Sequence, residues 1–401
     1  MPASGRTRRF LTVASAAHFV LNMGIVAQAG FLGAVHTALI EQAGGGAAES
    51  LMLVAAGLGD VLGNLLAGWW MDRWPCHRLF AASAFVSAAN LAVMPHLTGV
   101  WSMALASFLL MQGSGIGDCS FGALIWVARE CGVNNDGMYT GMKNLGTCLG
   151  MVLIMVLALC TTTPRDYRVL AYAWSALCAV AGVWIASLPS PTAPKEAAAA
   201  RAAPGAPSAI AWRETLVVCL GGALSAAVVG VFIIAFTLPA TWIGTHASQR
   251  LLLALACVNL VGQFVVSPVM DKFPPAVVHV ALLLISALGC ALVCAAFLDA
   301  SGRPSPTLMW SGYMLIGSAL LTNFSVLFSF MSSLVNLSGA RSSILGLGAA
   351  TNPLIGAAAA TIPLPAVMWA GCALLLVASA GVVVVLAVYG PAWLQKDKKE
   401  F

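Results

Sequence analysis

Apolar residues run along this chain in long blocks with short polar breaks between them. The blocks fall at 10–38, 51–71, 79–97, 101–128, 138–160, 169–189, 214–239, 250–270, 276–298, 307–333, 343–362 and 366–389. A helix that crosses a bilayer needs about 20 mostly apolar residues, so the pattern predicts twelve membrane-spanning helices. Strands of a lipid-facing barrel alternate apolar and polar positions, and these blocks do not. The breaks carry the residues that end helices or hold them at a water interface, as in "DRWPCHR", "TTTPRDYR" and "DASGRPSP". One break is longer. Residues 190–212, "SPTAPKEAAAARAAPGAPSAIAW", are rich in Pro and Ala and read as a linker. The predicted organisation is a six-helix bundle at 1–189, the linker at 190–212, a second six-helix bundle at 213–390 and a tail at 391–401.

Composition sharpens the class. Of 401 residues, 60% are hydrophobic and 8% charged, against about 25% charged in soluble domains. Lipid is therefore the main solvent, and the fold class is an all-α polytopic membrane protein. The net charge of +5 gives no ground for a nucleic-acid partner; the placement of the bases is more telling. With the N-terminus in the cytoplasm, fifteen Lys and Arg fall inside and four outside, the bias expected of cytoplasmic loops. Both termini, the linker and the tail are then cytoplasmic. The sequon at Asn336-Leu337-Ser338 falls on the same side and is expected to stay bare. Arg6, Arg8 and Arg9 precede an apolar block too long for a signal core, so it reads as the first span. Eleven cysteines lie mostly inside apolar blocks without metal-ligand spacing. They read as packing residues, and no metal or cofactor is expected.

The halves share a punctuation mark. Residues 68–75 read "GWWMDRWP" and residues 267–274 read "SPVMDKFP". Met, Asp, a base, an aromatic residue and Pro recur in order, each time after the second span of a half. Duplication of a six-helix unit explains both the match and its place.

On these features the chain resembles the major facilitator superfamily. The resemblance covers its whole length: twelve spans in two sets of six, a central linker and both termini inside. The most specific motif is the loop after span two, where Gly68, Asp72, Arg73 and the later base Arg78 fit. Pro75 stands where the family has Gly, and His77 where it has a base. The second half keeps Asp271 and Lys272, with Ser267 in place of the Gly. A carboxylate is unfavourable at the C-terminus of its own helix and is stabilised by a neighbouring N-terminus. Pseudo-symmetry pairs Asp72 with the start of span eleven near Ser342 and Ser343, and Asp271 with span five near Gly137. Such latches would hold the outward-open state; an ordinary juxtamembrane charge pair is the plainer alternative.

Polar residues inside the apolar blocks are the candidate chemistry. Asp60 and Asp118 lie midway along spans two and four. A carboxylate at mid-bilayer costs at least about 2.5–3.5 kcal/mol, so each needs a partner, water or a proton. Asp118, Asp60 and His18 are the candidates for proton coupling. The resemblance implies that spans one, four, seven and ten line the cavity. Candidate cavity residues are His18, Asn22, Gln112, Asp118, Tyr313, Asn323, Asn259, Gln263 and Asn352. For each amide alone, helix-to-helix hydrogen bonding is the competing role. The second half has no mid-span carboxylate, and no Lys or Arg lies at mid-membrane in either half, which disfavours anionic substrates. The span-four Arg of many proton-coupled relatives corresponds to Met111 or Gln112, and "GMKNLGTCLG" lacks the Pro of an antiporter signature. No hydrolase, metalloprotease or phosphate-loop motif is present, so no enzyme is expected. The expectation is a monomeric secondary transporter of a small neutral or cationic solute, with or without H+. A proton-coupled monocarboxylate carrier and a transporter-like receptor remain as alternatives.

Overall fold

In a computed structural model the described residues are scattered positions between 5 and 20, then 46–71, 73–97, 99–130, scattered positions between 145 and 156, then 164–187, 212–237, 245–270, 272–298, 304–334, 348 and 362–389. Among them there is no strand. The described residues form nine long helices: α1 Gly46–Met71, α2 Cys76–Val93, α3 Val100–Glu130, α4 Pro164–Ser187, α5 Trp212–Thr237, α6 Thr245–Met270, α7 Pro275–Ala296, α8 Pro306–Leu334 and α9 Leu364–Tyr389. They match the predicted spans two, three, four, six, seven, eight, nine, ten and twelve. Most of spans one, five and eleven lies outside the described residues. A 26-residue helix such as α1 is about 39 Å long, enough to cross a hydrocarbon core of about 30 Å. By length and composition, five described stretches qualify as membrane-crossing: Cys76–His96, Val100–Ser120, Leu253–Met270, Pro275–Ala296 and Leu364–Val384.

The helices outrun the apolar blocks. Helix α1 begins at Gly46, inside the polar break, and α6 begins at Thr245, one turn earlier than its block. Polarity marks where a helix leaves lipid; it does not stop backbone hydrogen bonding. Proline fixes two of the helix starts. Pro75 and Pro274 take extended backbone (φ −60°, ψ 132° and φ −55°, ψ 132°), and α2 and α7 start immediately after them.

The two halves pack alike. In the first, α1 lies on α3, α2 on α3 and α2 on α4. In the second, α6 lies on α8, α7 on α8 and α7 on α9, with α5 against α8 and α9. The corners agree bond for bond. Arg73 and Trp74 N–H groups donate to the Trp70 carbonyl at 2.9 and 2.7 Å; Lys272 and Phe273 donate to Val269 at 3.1 and 2.9 Å. Arg78 N–H donates to Pro75 at 2.9 Å, and Val277 N–H to Pro274 at 3.0 Å.

Small residues bring the helices together, as membrane packing requires. A Cβ on Gly59 would lie 2.0 Å from the Phe108 carbonyl oxygen, and one on Gly63 2.3 Å from that of Gln112, so α1 and α3 touch backbone to backbone. Gly262 meets the Ser318 carbonyl at 2.4 Å in the same way, joining α6 to α8. Phe80, Ala84, Cys178 and Ile185 form the core of the first half; Ala14 and Ala17, from the first span, pack into it. Leu283, Val293, Tyr313, Ile316 and Phe330 centre the core of the second. Large apolar side chains such as Trp101, Val169, Phe264 and Val377 stay exposed on the outer faces, where a bilayer would cover them.

Candidate functional site

The contact of Gly59 and Gly63 with α3 sets the geometry of the first polar seam. It leaves Asp60 and Asn64, one turn apart on α1, pressed against α3 at Gly115. A Cβ there would lie 2.7 Å from both the Asp60 carbonyl and its Oδ1, and 2.8 Å from Asn64 Nδ2. Only glycine leaves room for the carboxylate. Asn64 Nδ2 donates to the Asp60 carbonyl at 2.8 Å and to Asp60 Oδ1 at 3.0 Å. The Cys119 thiol of α3 donates to Asn64 Oδ1 at 2.8 Å. A directed chain thus runs from Cys119 through Asn64 to Asp60. Asp118, beside Cys119, lies close enough to Asp60 for the two carboxylates to interact electrostatically. Gln112 and Ser114 are half-buried on α3 near this seam. The two sequence-predicted carboxylates are therefore neighbours. Their connecting residues, Asn64 and Cys119, were not among the sequence candidates. Asn64 was legible as the residue one helical turn after Asp60; Cys119 was not, because only the packing of α1 on α3 turns its thiol toward an amide.

The second polar seam lies between α6 and α8, with α7 behind it. Asn259 and Gln263 are buried on α6, and Thr322 and Asn323 on α8. Among the described residues, both polar atoms of Asn259, Oγ1 of Thr322 and Nδ2 of Asn323 have no hydrogen-bond partner, and Nε2 of Gln263 has none beyond a weak thiol acceptor. Each such atom carries a desolvation penalty of about 1–3 kcal/mol. The Gln263 side chain also lies within hydrogen-bonding reach of the Cys148 thiol, from the predicted fifth span. His279 of α7 pairs with Asn323: Nδ1 lies 2.5 Å from Oδ1. A carboxamide oxygen only accepts, so Nδ1 carries the hydrogen and Nε2 of a neutral ring is left as an acceptor. That Nε2 is buried without a partner, and the ring stacks on Phe330 at 5.9 Å. His279 and Thr322 were also missing from the sequence candidates; His279 was visible as the one strongly polar residue early in the ninth block. Tyr313 sits wholly inside the second-half core, its hydroxyl unpartnered.

The corner after α1 is exposed at Arg73 and Arg78, while Gly68 is buried. Arg73 Nη1 donates to the Trp69 carbonyl at 3.1 Å, and its guanidinium lies 4.1 Å over the Trp69 ring. Trp70 stacks on Trp74 at 6.3 Å. Lys272 is exposed at the second corner. Asp72, Asp271, His18, Asn22 and Asn352 lie outside the described residues, as do the proposed latch partners Ser342, Ser343 and Gly137. Among the described residues no three His, Cys, Asp or Glu side chains converge to hold a metal ion.

This arrangement of paired helices recurs in solved structures. A proton:xylose symporter, XylE, bound to 6-bromo-6-deoxy-D-glucose, is 12% identical, with 94% of this chain and 95% of that one covered and a TM-score of 0.74. A tryptophan double mutant of XylE is 13% identical over 93% and 94%, with a TM-score of 0.71. A fucose:proton symporter of E. coli, FucP, is 14% identical over 94% and 98%, with a TM-score of 0.64. Likeness at these identities concerns the fold alone. No curated protein is similar enough in sequence to match. The family model for the Major Facilitator Superfamily matches residues 15–360, across both halves and the linker. With its repeated corners, its twofold helix pairing and that match, the chain belongs to the major facilitator superfamily of membrane transporters.

Proposed function

We propose that this protein moves a small neutral or cationic organic solute by alternating access, driven by protons taken up at Asp118 and Asp60. Membership of a superfamily of secondary transporters carries the general activity. The single observation behind proton coupling is the seam in which Asp60 packs on α3 at Gly115, within electrostatic range of Asp118, with Asn64 and Cys119 holding it in place. Neither α1 nor the membrane part of α3 carries Lys or Arg, and a carboxylate held in lipid calls for a proton, water or a counter-charge. A proton or a substrate cation is the economical counter-charge. The structural neighbours described as proton symporters of xylose and fucose support the reading.

The bundles at 1–189 and 213–390 would rock about a midplane site, with the 190–212 linker and both termini in the cytoplasm. His18, Asn22, Gln112, Tyr313 and Asn352 remain cavity candidates beside the two seams. Asp72 and Asp271, with Gly68, Arg73, Arg78 and Lys272, would form the two gating corners.

The test is uptake into proteoliposomes with and without an inward proton gradient, over amino acids, sugars, nucleosides, organic cations and monocarboxylates. Asp118→Asn is expected to retain solute binding and to lose gradient-driven accumulation. Normal accumulation by that variant would remove Asp118 from the coupling. Uptake confined to monocarboxylates would shift the substrate assignment to an acid carried with its proton.

A further inference from the structure

The likeness of the halves extends back from the corners into the membrane. In the register that aligns Met71 with Met270, Asp60 falls on Asn259, Gly63 on Gly262 and Asn64 on Gln263. Each stretch sets a polar group, then a glycine three residues on, then a carboxamide. Each glycine packs against a backbone carbonyl of the facing helix: an added Cβ would lie 2.3 Å from that of Gln112 in the first copy and 2.4 Å from that of Ser318 in the second. One seam exists twice, in two chemical forms. The first copy is ionisable, and its groups are bonded to one another. The second copy is uncharged, and its groups are largely unpartnered.

We infer that the second copy, Asn259 and Gln263 with Thr322 and Asn323 on the facing helix, hydrogen-bonds the transported solute, and that this solute is uncharged and rich in hydroxyl or carbonyl oxygens. The inference rests on the transporter reading above and adds the substrate class to it. Among the described residues, the carboxamides of Asn259 and Asn323 offer unpartnered NH2 groups and that of Gln263 has only the weak thiol acceptor of Cys148, whereas Asn259 Oδ1 and His279 Nε2 are the unpartnered acceptors. Donors exceed acceptors, so oxygen atoms are the natural complement. Helices α7, α8 and α9 contain no Asp, Glu, Lys or Arg, and Arg250 of α6 lies at its outer part, before Asn259. None of these four helices offers a mid-span counter-ion to a buried carboxylate or ammonium group. Hydroxyl oxygens both accept and donate, and satisfy the seam without charge. In the present conformation the seam is closed over these atoms, and a solute entering as it opens supplies the bonds they lack. Buried polar groups of this kind discriminate strongly against an analogue that lacks the matching hydroxyl. The repeat thus divides the labour: the carboxylate copy takes the proton and the amide copy takes the solute.

The test uses the purified full-length chain, in detergent for thermal shifts and in proteoliposomes for uptake. The probes are uncharged sugars and polyols, monocarboxylates and quaternary ammonium ions. An uncharged polyhydroxylated probe is expected to raise the melting temperature and to be taken up. Asn259→Leu and Gln263→Met are expected to raise its KM about tenfold or more and to abolish the probe-induced thermal shift. Asn259→Leu should not lower the ligand-free melting temperature, because it removes a buried group with no partner. Asn259→Gln keeps an amide and should restore part of the affinity, which a pure packing role would not produce. Asp60→Asn should keep the KM and lose accumulation driven by the proton gradient. Wild-type KM in Asn259→Leu and Gln263→Met, or uptake limited to charged probes, overturns this inference while the transporter reading stands. A folded protein that moves no probe under any gradient overturns both.

Discussion

At the scale of single residues, the deciding feature is whether a buried polar atom has a partner. Asp60 is held by Asn64, which is held in turn by Cys119; removing the middle member leaves a thiol and a carboxylate without it. Asn64→Leu is therefore expected to destabilise by about 1–3 kcal/mol, seen as a lower melting temperature in detergent, and to impair gradient-driven uptake more than solute binding. His279 and Asn323 form a closer pair, at 2.5 Å in a wholly buried setting. Asn323→Leu should destabilise by a similar amount, about 1–3 kcal/mol, because it strands the ring N–H. Adding His279→Phe should recover much of that loss, since replacing both partners removes the stranded group. If the double variant is as unstable as the sum of the singles, the pair is not coupled. Of these groups, the carboxylates were legible from charge inside an apolar block and Asn64 from helical spacing. Cys119 was not legible, because a thiol in a greasy helix reads as packing until a neighbour turns an amide toward it.

Helix pairs depend on glycine where backbones meet. Gly59 and Gly63 leave no room between α1 and α3, and Gly262 leaves none between α6 and α8. Gly63→Leu and Gly262→Leu are each expected to cost about 1–3 kcal/mol or more by overpacking. A loss of monodisperse protein on gel filtration and a drop in melting temperature would show it. Gly381 is the contrasting site: an added Cβ there finds its nearest neighbour, Leu220 Cδ1, at 3.8 Å. Gly381→Ala should be neutral or stabilise by up to about 1 kcal/mol through helix propensity. A large loss at Gly381, or none at Gly63, would contradict the close-packing account. Helix existence was legible at this scale; helix ends were not. Helices α1 and α6 extend past the apolar blocks into polar sequence, because hydropathy reports depth in lipid and not backbone hydrogen bonding.

For the whole molecule, the repeat is the organising fact. The corners after α1 and α6 share their hydrogen bonds atom for atom, and helices in equivalent places make equivalent pairs. The bias of bases predicts that both corners, the linker and both termini share the cytoplasmic side. A green fluorescent protein fused after Phe401 should fluoresce, and alkaline phosphatase fused there should be inactive; active phosphatase would reverse the orientation. A phosphatase fused at 163, in the break before α4, should instead be active.

The order of apolar blocks, the linker between two sets of six and the paired acidic corners determine the class of fold, because a bilayer sorts residues by hydropathy and helical length alone. Charge inside a block was enough to single out Asp60 and Asp118. Which polar groups meet was decided only by the tertiary structure. Asn64 and Cys119 close around Asp60, while Asn259 and Gln263, which fall on Asp60 and Asn64 in the register of the repeat, are buried with both polar atoms of Asn259 unpartnered. Local spacing places a side chain on one face of its own helix. Only the crossing of two helices at a glycine contact sets what lies opposite that face.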